Sequence, residues 1–169
     1  MSMSFANICL FPALHKAIEA CGFTTATPVQ EKAIPAILLG KDVRVSAQTG
    51  TGKTAAFILP ALHKIATQPS RHGPGPNVLI LVPTRELALQ IAAEAARFSK
   101  HLHRVRTVCI YGGAPYPPQY RDLSRPHDIL VATPGRLFDH LERRKVKLSH
   151  VSMLILHEAD RMLDMGFIE

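Results

Sequence analysis

Cysteine is scarce in this chain of 169 residues: Cys9, Cys21 and Cys109 are irregularly spaced, and none stands at a metal-ligand interval from a histidine or another cysteine. A disulfide-built scaffold and a zinc site are thereby disfavoured, and three reduced, mostly buried thiols in a cytoplasmic protein are the expectation. Long apolar runs are missing as well. No stretch approaches the roughly 18 residues of a membrane span, and Met1–Phe5 has neither the basic flank nor the apolar stretch of a secretory signal. Repeats and a Gly/Ser-rich linker are also lacking, so the length fits one domain. The nine histidines are scattered, and His101 with His103 reads as an exposed pair.

The chain has 47% hydrophobic residues, which excludes general disorder, and 20 Lys+Arg against 13 Asp+Glu, a formal charge of +7. An acidic partner suits this balance. So does a merely basic protein, because net charge governs nonspecific association rather than function.

Apolar periodicity supplies the element order. Phe11, Leu14, Ala17 and Ile18 predict a helix stopped by Gly22, and Thr27-Pro28 predicts the cap and first turn of a second, ending near Gly40. Val43–Ala47 reads as a strand, followed by a Gly-rich turn and a helix through Ala55, Leu59 and Leu62. Ala66–Asn77, with its glycines and prolines, reads as an exposed loop. Four further strands are predicted at Val78–Val82, Val105–Ile110, Asp128–Ala132 and Val151–Leu156. The intervening helices are Leu87–Phe98, one from about Pro118, Arg136–Arg143 and Ala159–Met165. Strands alternating with helices imply an α/β, three-layer fold on a mainly parallel sheet.

Ala47-Gln48-Thr49-Gly50-Thr51-Gly52-Lys53-Thr54 is the strongest chemical signal. It follows a predicted strand, opens a predicted helix and matches the phosphate-loop pattern except for Ala47 at the first glycine. Glycines let backbone N–H groups turn around phosphate oxygens, and the helix directs its N-terminus at them. Lys53 reaches the β/γ-phosphates, and the Thr54 hydroxyl suits Mg²⁺.

At the end of the last strand stands His157-Glu158-Ala159-Asp160. Phosphate-loop ATPases place an aspartate at the His157 position to hold Mg²⁺, and helicase-type enzymes follow it with a glutamate that accepts a proton from the attacking water. Imidazole is a poor ligand for a hard, oxygen-preferring cation. Exposed acids beginning a helix are the alternative for Glu158 and Asp160, which the glycine-rich segment upstream disfavours.

With these blocks located, the chain resembles the first, N-terminal RecA-like domain of the DEAD-box RNA helicases, from Phe5 almost to Glu169. The resemblance implies bound ATP or ADP with Mg²⁺. Phe5, Phe23 and Gln30 would form the adenine side, Gln48–Thr54 the phosphate side, and Thr54 with Glu158 the metal side. Lys53, His157, Glu158 and Asp160 would occupy the catalytic positions. An amide offers the donor and acceptor that an adenine edge needs, although residue type alone favours a surface glutamine at 30. The family's RNA-gripping loops are matched by Pro83-Thr84-Arg85, Gly112-Gly113 and Thr133-Pro134-Gly135-Arg136. Arg85 and Arg136 suit phosphates, so weak, sequence-independent binding of single-stranded or duplex RNA is implied, with a second RecA-like domain as partner and no membrane. Internal ion pairs, Arg85 with Glu86 or Arg136 with Asp139, are the alternative.

Several positions depart from the family pattern. His157 replaces the metal-positioning aspartate, and Arg125-Pro126-His127 replaces a usual glycine before the strand at Asp128, where proline ends a helix equally well. Arg161–Phe167 continues the family pattern, but its later Ser-Ala-Thr segment and second domain are expected beyond Glu169. The reading is therefore a domain over 1–169, truncated near its C-terminal end, that binds nucleotide and RNA without unwinding by itself. A degenerate module that binds RNA or protein without using ATP is the rival, and both a short gene product and a piece of a longer enzyme fit.

Overall fold

The computed structural model describes residues 2–68 and 73–166; Phe167, the end of the family-like run, lies outside the described residues. The chain divides into two compact units. One comprises 1–70 and 94–104, the other 71–93 and 105–169.

The first unit is helical. After a 3-10 turn at Phe5–Asn7 come α1 (Pro12–Ala20), α2 (Pro28–Leu38) and α3 (Lys53–Thr67). α1 begins with proline, whose missing N–H costs nothing at a helix start, and buries Leu14, Ala17 and Ile18 on one face. α2 opens with a capping box. The Thr27 hydroxyl accepts from the Gln30 N–H, while the Gln30 side-chain oxygen accepts from the Thr27 N–H at 2.9 Å. Ile34, Ile58, Leu59 and Leu62 are fully buried and supply much of this unit's apolar interior. His63 closes the turn into α1, its Nδ1 accepting from the Phe11 N–H at 3.0 Å.

The expected strand Val43–Ala47 is absent. Residues 41–48 are irregular, and Val43 and Val45 are exposed. Alternating valines suit a pleated strand, but a strand forms only when a neighbour takes its hydrogen bonds. The following helix begins at Lys53 and runs to Thr67, so Ala66 and Thr67 belong to α3 rather than to the predicted loop.

The second unit holds a parallel sheet of four strands, one fewer than expected: β1 (Val78–Leu81), β2 (Thr107–Ile110), β3 (Ile129–Ala132) and β4 (Met153–Leu156), in the order β2-β3-β1-β4. β3 inserts between its predecessors, pairing Val78 with Ile129 on one side and Thr107 with Ile129 on the other. Every residue of β3 is buried, as expected of a central strand covered on both faces. Leu79, Val108, Ile110, Leu130 and Ala132 share a core with Leu123 of α5 (Tyr116–Ser124) and Leu137 of α6 (Pro134–Glu142). α5 starts two residues before the predicted Pro118, because prolines are tolerated in a first helical turn. It ends before Arg125-Pro126, as anticipated. The remaining helices are α4 (Arg85–Phe98) and α7 (Ala159–Asp164).

The thiols correct one expectation. Cys9 is exposed rather than buried, while Cys109 is half-buried on β2 and burial pushes its thiol up to about 11. Such a thiol stays protonated at neutral pH and is a poor nucleophile. His101 and His103 are both exposed, as predicted.

Candidate functional site

Parallel pairing places the carboxyl ends of β2, β3, β1 and β4 along one edge of the sheet, and the segments leaving that edge carry the chemistry. After β1 come Pro83-Thr84-Arg85, with the Thr84 hydroxyl accepting from the Leu87 N–H at 3.3 Å to cap α4. After β2 come Tyr111 and Gly112-Gly113, the latter glycine at φ 81 where a side chain would be strained. After β3, Thr133 holds the ladder by donating its N–H to Ile110, and Pro134 opens α6. Pro83, Arg85, Gly112, Thr133, Gly135, Arg136 and Asp139 line one cavity of about 470 Å³. Six of these seven were expected from sequence to meet RNA; Thr84, Gly113 and Pro134 lie beside them in the chain.

The two arginines are held differently. Arg85 lies over the Tyr111 ring, 4.9 Å from its centroid. Arg136 is buried: its Nη1 donates to the Ala114 carbonyl at 2.8 Å and to Gln119 Oε1 at 3.1 Å, and its guanidinium stacks 4.2 Å from the Tyr116 centroid. Neither of the ion pairs held open as alternatives forms among the described residues. Asp139 instead accepts from the Tyr116 hydroxyl at 2.8 Å.

β4 ends in His157, whose N–H extends the ladder to the Leu81 carbonyl at 2.9 Å, and then Glu158. Glu158 sits at φ 56, ψ 50, a left-handed conformation that costs a non-glycine residue about 1–2 kcal/mol. The turn aims the chain into α7, where Asp160 is exposed and Arg161 approaches Glu158 at 3.4 Å. A surface pair at that distance contributes little.

In the other unit, Gly50 and Gly52 lie at φ 82 and 83, and Gly52 is the N-cap of α3. Lys53 and Thr54 form the first turn. The first backbone bond of the helix runs from the Ala56 N–H to Gly52, so the preceding N–H groups lie ahead of the ladder, where an anion is favoured. Thr51 turns its hydroxyl inward, donating to the Gln48 carbonyl at 2.6 Å, while Gln48 and Thr49 are exposed. Gln30 is buried, not the surface glutamine its residue type favours, and its Nε2 donates to the Gly52 carbonyl at 3.2 Å. A Cβ at Gly52 would collide with that amide. The expected adenine element and the phosphate loop are thus in contact. Of the two aromatics, Phe23 is exposed beside Phe98, with ring centroids 6.4 Å apart, whereas Phe5 is buried. Thr54 and Glu158, the expected metal pair, lie in different units. No group of three or more His, Cys, Asp or Glu side chains suited to a metal occurs among the described residues.

The DEAD/DEAH box helicase family profile matches residues 27–169. The chain belongs to the DEAD/DEAH box helicase family. It is 46% identical over 165 residues to DEAD-box ATP-dependent RNA helicase 20 of Arabidopsis thaliana, which covers 97% of this chain and 33% of the relative. It is 48% identical to the ATP-dependent RNA helicase CshA of Limosilactobacillus reuteri, across 99% of this chain and 33% of that protein. Against the ATP-dependent RNA helicase-like protein DB10 of Nicotiana sylvestris the identity is 51%, across 93% and 26%. The chain spans about a third or less of these helicases. The matched region corresponds to the N-terminal RecA-like domain of DEAD-box helicases, in agreement with the parallel sheet flanked by helices. No described helix is long and apolar enough to cross a membrane.

Sequence reading missed Gln119 and Tyr116, which hold Arg136, and His140, which meets Gln119. Gln119 carried no sequence signal, and that of Tyr116 and His140 was spacing. Tyr116 and Tyr120, like Arg136 and His140, stand four apart and share a helix face.

Proposed function

We propose that this chain is the adenine-nucleotide- and RNA-binding part of an ATP-dependent RNA helicase. The carrying observation is the cavity at the sheet edge, where three separate loops contribute Arg85, Gly112, Thr133 and Arg136. Two guanidinium groups beside a threonine and a glycine backbone suit the phosphates and sugars of one RNA strand without reading its bases. Arg136 already spends Nη1 on Ala114 and Gln119, leaving fewer donors for phosphate than an exposed arginine would, and affinity from this domain is accordingly modest.

On the nucleotide side, Gly50, Gly52 and the start of α3 fit a polyphosphate, with Lys53 supplying the positive charge. Gln30 retains one amide hydrogen and one oxygen lone pair beyond its bonds to Gly52 and Thr27, enough for a two-sided adenine edge. Exposed Phe23 offers a ring face, and buried Phe5 supports the turn beside it. Mg²⁺, when bound, would neutralise phosphate charge and be held by the Thr54 hydroxyl, phosphate oxygens and water. Calorimetric titration tests the assignment: ATP and ADP should bind more tightly than GTP and CTP, and equal affinity for all four would remove the adenine role of Gln30. RNA affinity should fall steeply as salt rises; a salt-independent affinity would contradict phosphate contacts.

His157 favours a second reading, a helicase-like module that binds RNA or protein without turning over ATP. Imidazole at this position deprives Mg²⁺ of anionic support, while Glu158 keeps the general base and Asp160 the family's coupling position. The two readings separate in His157→Asp, assayed as RNA-stimulated phosphate release with a second RecA-like domain supplied. The substitution should raise the rate about 10- to 100-fold, the usual scale for a group supporting a metal site. Equal rates with His and Asp would show that His157 is no lesion.

A further inference from the structure

Gln119 sits in the middle of α5, outside every segment assigned a role above, yet it is buried and its side chain joins three parts of the fold. Its Nε2 donates to the Tyr111 carbonyl at 3.1 Å, at the exit from β2 and next to Gly112. Its Oε1 accepts from Arg136 Nη1 at 3.1 Å and lies 2.8 Å from Nε2 of His140.

These contacts permit one arrangement of hydrogens. A carbonyl only accepts, so the amide nitrogen must face Tyr111; a guanidinium only donates, so the amide oxygen must face Arg136. His140 Nε2, meeting that same oxygen, must carry its hydrogen and donate. Nδ1 is then a bare lone pair, and it is indeed buried with no partner among the described residues. A proton there would have no acceptor and would lie near Arg136 and Arg143. Asp139, on the same helix, is the opposing charge, and from α5 His140 meets the edge-on rings of Tyr116 and Tyr120. Burial first, and then Arg136, lower the His140 pKa from its usual value.

Arg136 engages the protein through Nη1 and its stacked face alone. No hydrogen bond from its Nε or Nη2 occurs among the described residues, and Arg136 lines the cavity. We propose that Gln119 is a positioning residue for RNA binding: through one amide it fixes the Arg136 guanidinium, with its remaining donors toward the cavity, and anchors the entry to the Gly112-Gly113 loop. The inference rests on the RNA-binding reading of that cavity.

Two variants of the chain test it, with a fluorescent oligouridylate as the RNA probe and histidine NMR titration as the second readout. In Gln119→Leu the guanidinium loses one of its two Nη1 acceptors, and RNA affinity should fall about tenfold. The log–log salt slope should shrink by about 0.7, the loss of one single-strand phosphate contact, while ATP affinity stays unchanged. In Gln119→Glu, a carboxylate opposes the Tyr111 carbonyl and attracts a proton to His140, whose titration should move up toward neutral pH; RNA affinity should fall here too. Unchanged RNA affinity in a folded Gln119→Leu chain overturns the proposal. If that variant does not fold, an unshifted His140 titration with unchanged RNA affinity in Gln119→Glu overturns it equally. Absence of salt-dependent binding by the unsubstituted chain would sink the RNA reading itself, a distinct outcome.

Discussion

Around Gly50–Thr54 the backbone turns on two left-handed glycines, the residues before it are exposed and irregular, and the first N–H groups of α3 precede its ladder. Around Arg136, by contrast, the protein fills its own needs: Gln119, Ala114, Tyr116, Asp139 and His140 are tied together by hydrogen bonds and stacked rings. The Gly50–Thr54 turn leaves the first N–H groups of α3 without an intrahelical acceptor. The sheet-edge cavity satisfies its donors in advance and lends out what remains of one guanidinium. A ligand should therefore stabilise the first region strongly and the second weakly, and substitutions should act on binding in the first but on binding and folding together in the second.

The sharpest break of that contrast is Lys53→Ala. With the loop's cation removed, ATP affinity should drop about 100-fold, the upper range for a charge-assisted contact of about 3 kcal/mol. The melting temperature without ligand should barely move, since Lys53 stands half-exposed at the first position of α3. A large loss of unliganded stability, measured by scanning calorimetry, would place the phosphate loop in the self-satisfied class.

Replacing Arg85 and Arg136 together by alanine should lower RNA affinity by about tenfold or more and reduce the salt slope by about 1.4, two single-strand phosphate contacts. This variant should also melt earlier, because Gln119 Oε1 loses a donor and Tyr116 a stacked cation. Titration against ionic strength, paired with thermal melting, measures both. RNA affinity unchanged in a folded double variant would detach the cavity from RNA.

The smallest effect is on pH. His63, His127 and His140 all have pKa values lowered from 6.5, in each case chiefly by burial. The unfolded chain then binds protons more readily, so their contribution is complete above about 6.5 and is lost as the pH falls below it toward the folded values. Denaturant unfolding across that range should show stability declining on acidification. His140→Gln, which keeps a donor for Gln119, should flatten part of the decline; an undiminished slope would assign the effect elsewhere.

Most elements were legible from periodicity because their apolar faces are continuous: α1 through Leu14 and Ile18, β3 through Ile129–Ala132. Glycine and proline marked the boundaries, as at Gly22 and Pro28. What escaped depends on partners distant in sequence. Val43–Ala47 has the alternation of a strand, but pairing, not alternation, makes one. Gln30 was expected at the nucleotide by resemblance, while its burial follows from a capping box and from Gly52, 22 residues away. Gln119 was invisible, since a glutamine inside a polar helix carries no pattern, and its meaning comes from residues 8, 17 and 21 positions distant. The glycine turn at Gly50–Thr54 was legible in sequence because a short contiguous segment supplies all of it.

The bond from Gln30 to the Gly52 carbonyl has one more consequence, in chain statistics. It closes a ring of backbone whose ends are 22 positions apart, and most of α2 and the irregular residues 41–48 lie inside that ring. The entropy of closing such a ring grows only with the logarithm of its length, about 0.6 kcal/mol for each doubling. Added residues between Lys41 and Ala47 would thus leave the clasp nearly as favourable as before, while the glycine at the clasp has no such latitude. Length is cheap in this ring; the identity of the residue that fastens it is not.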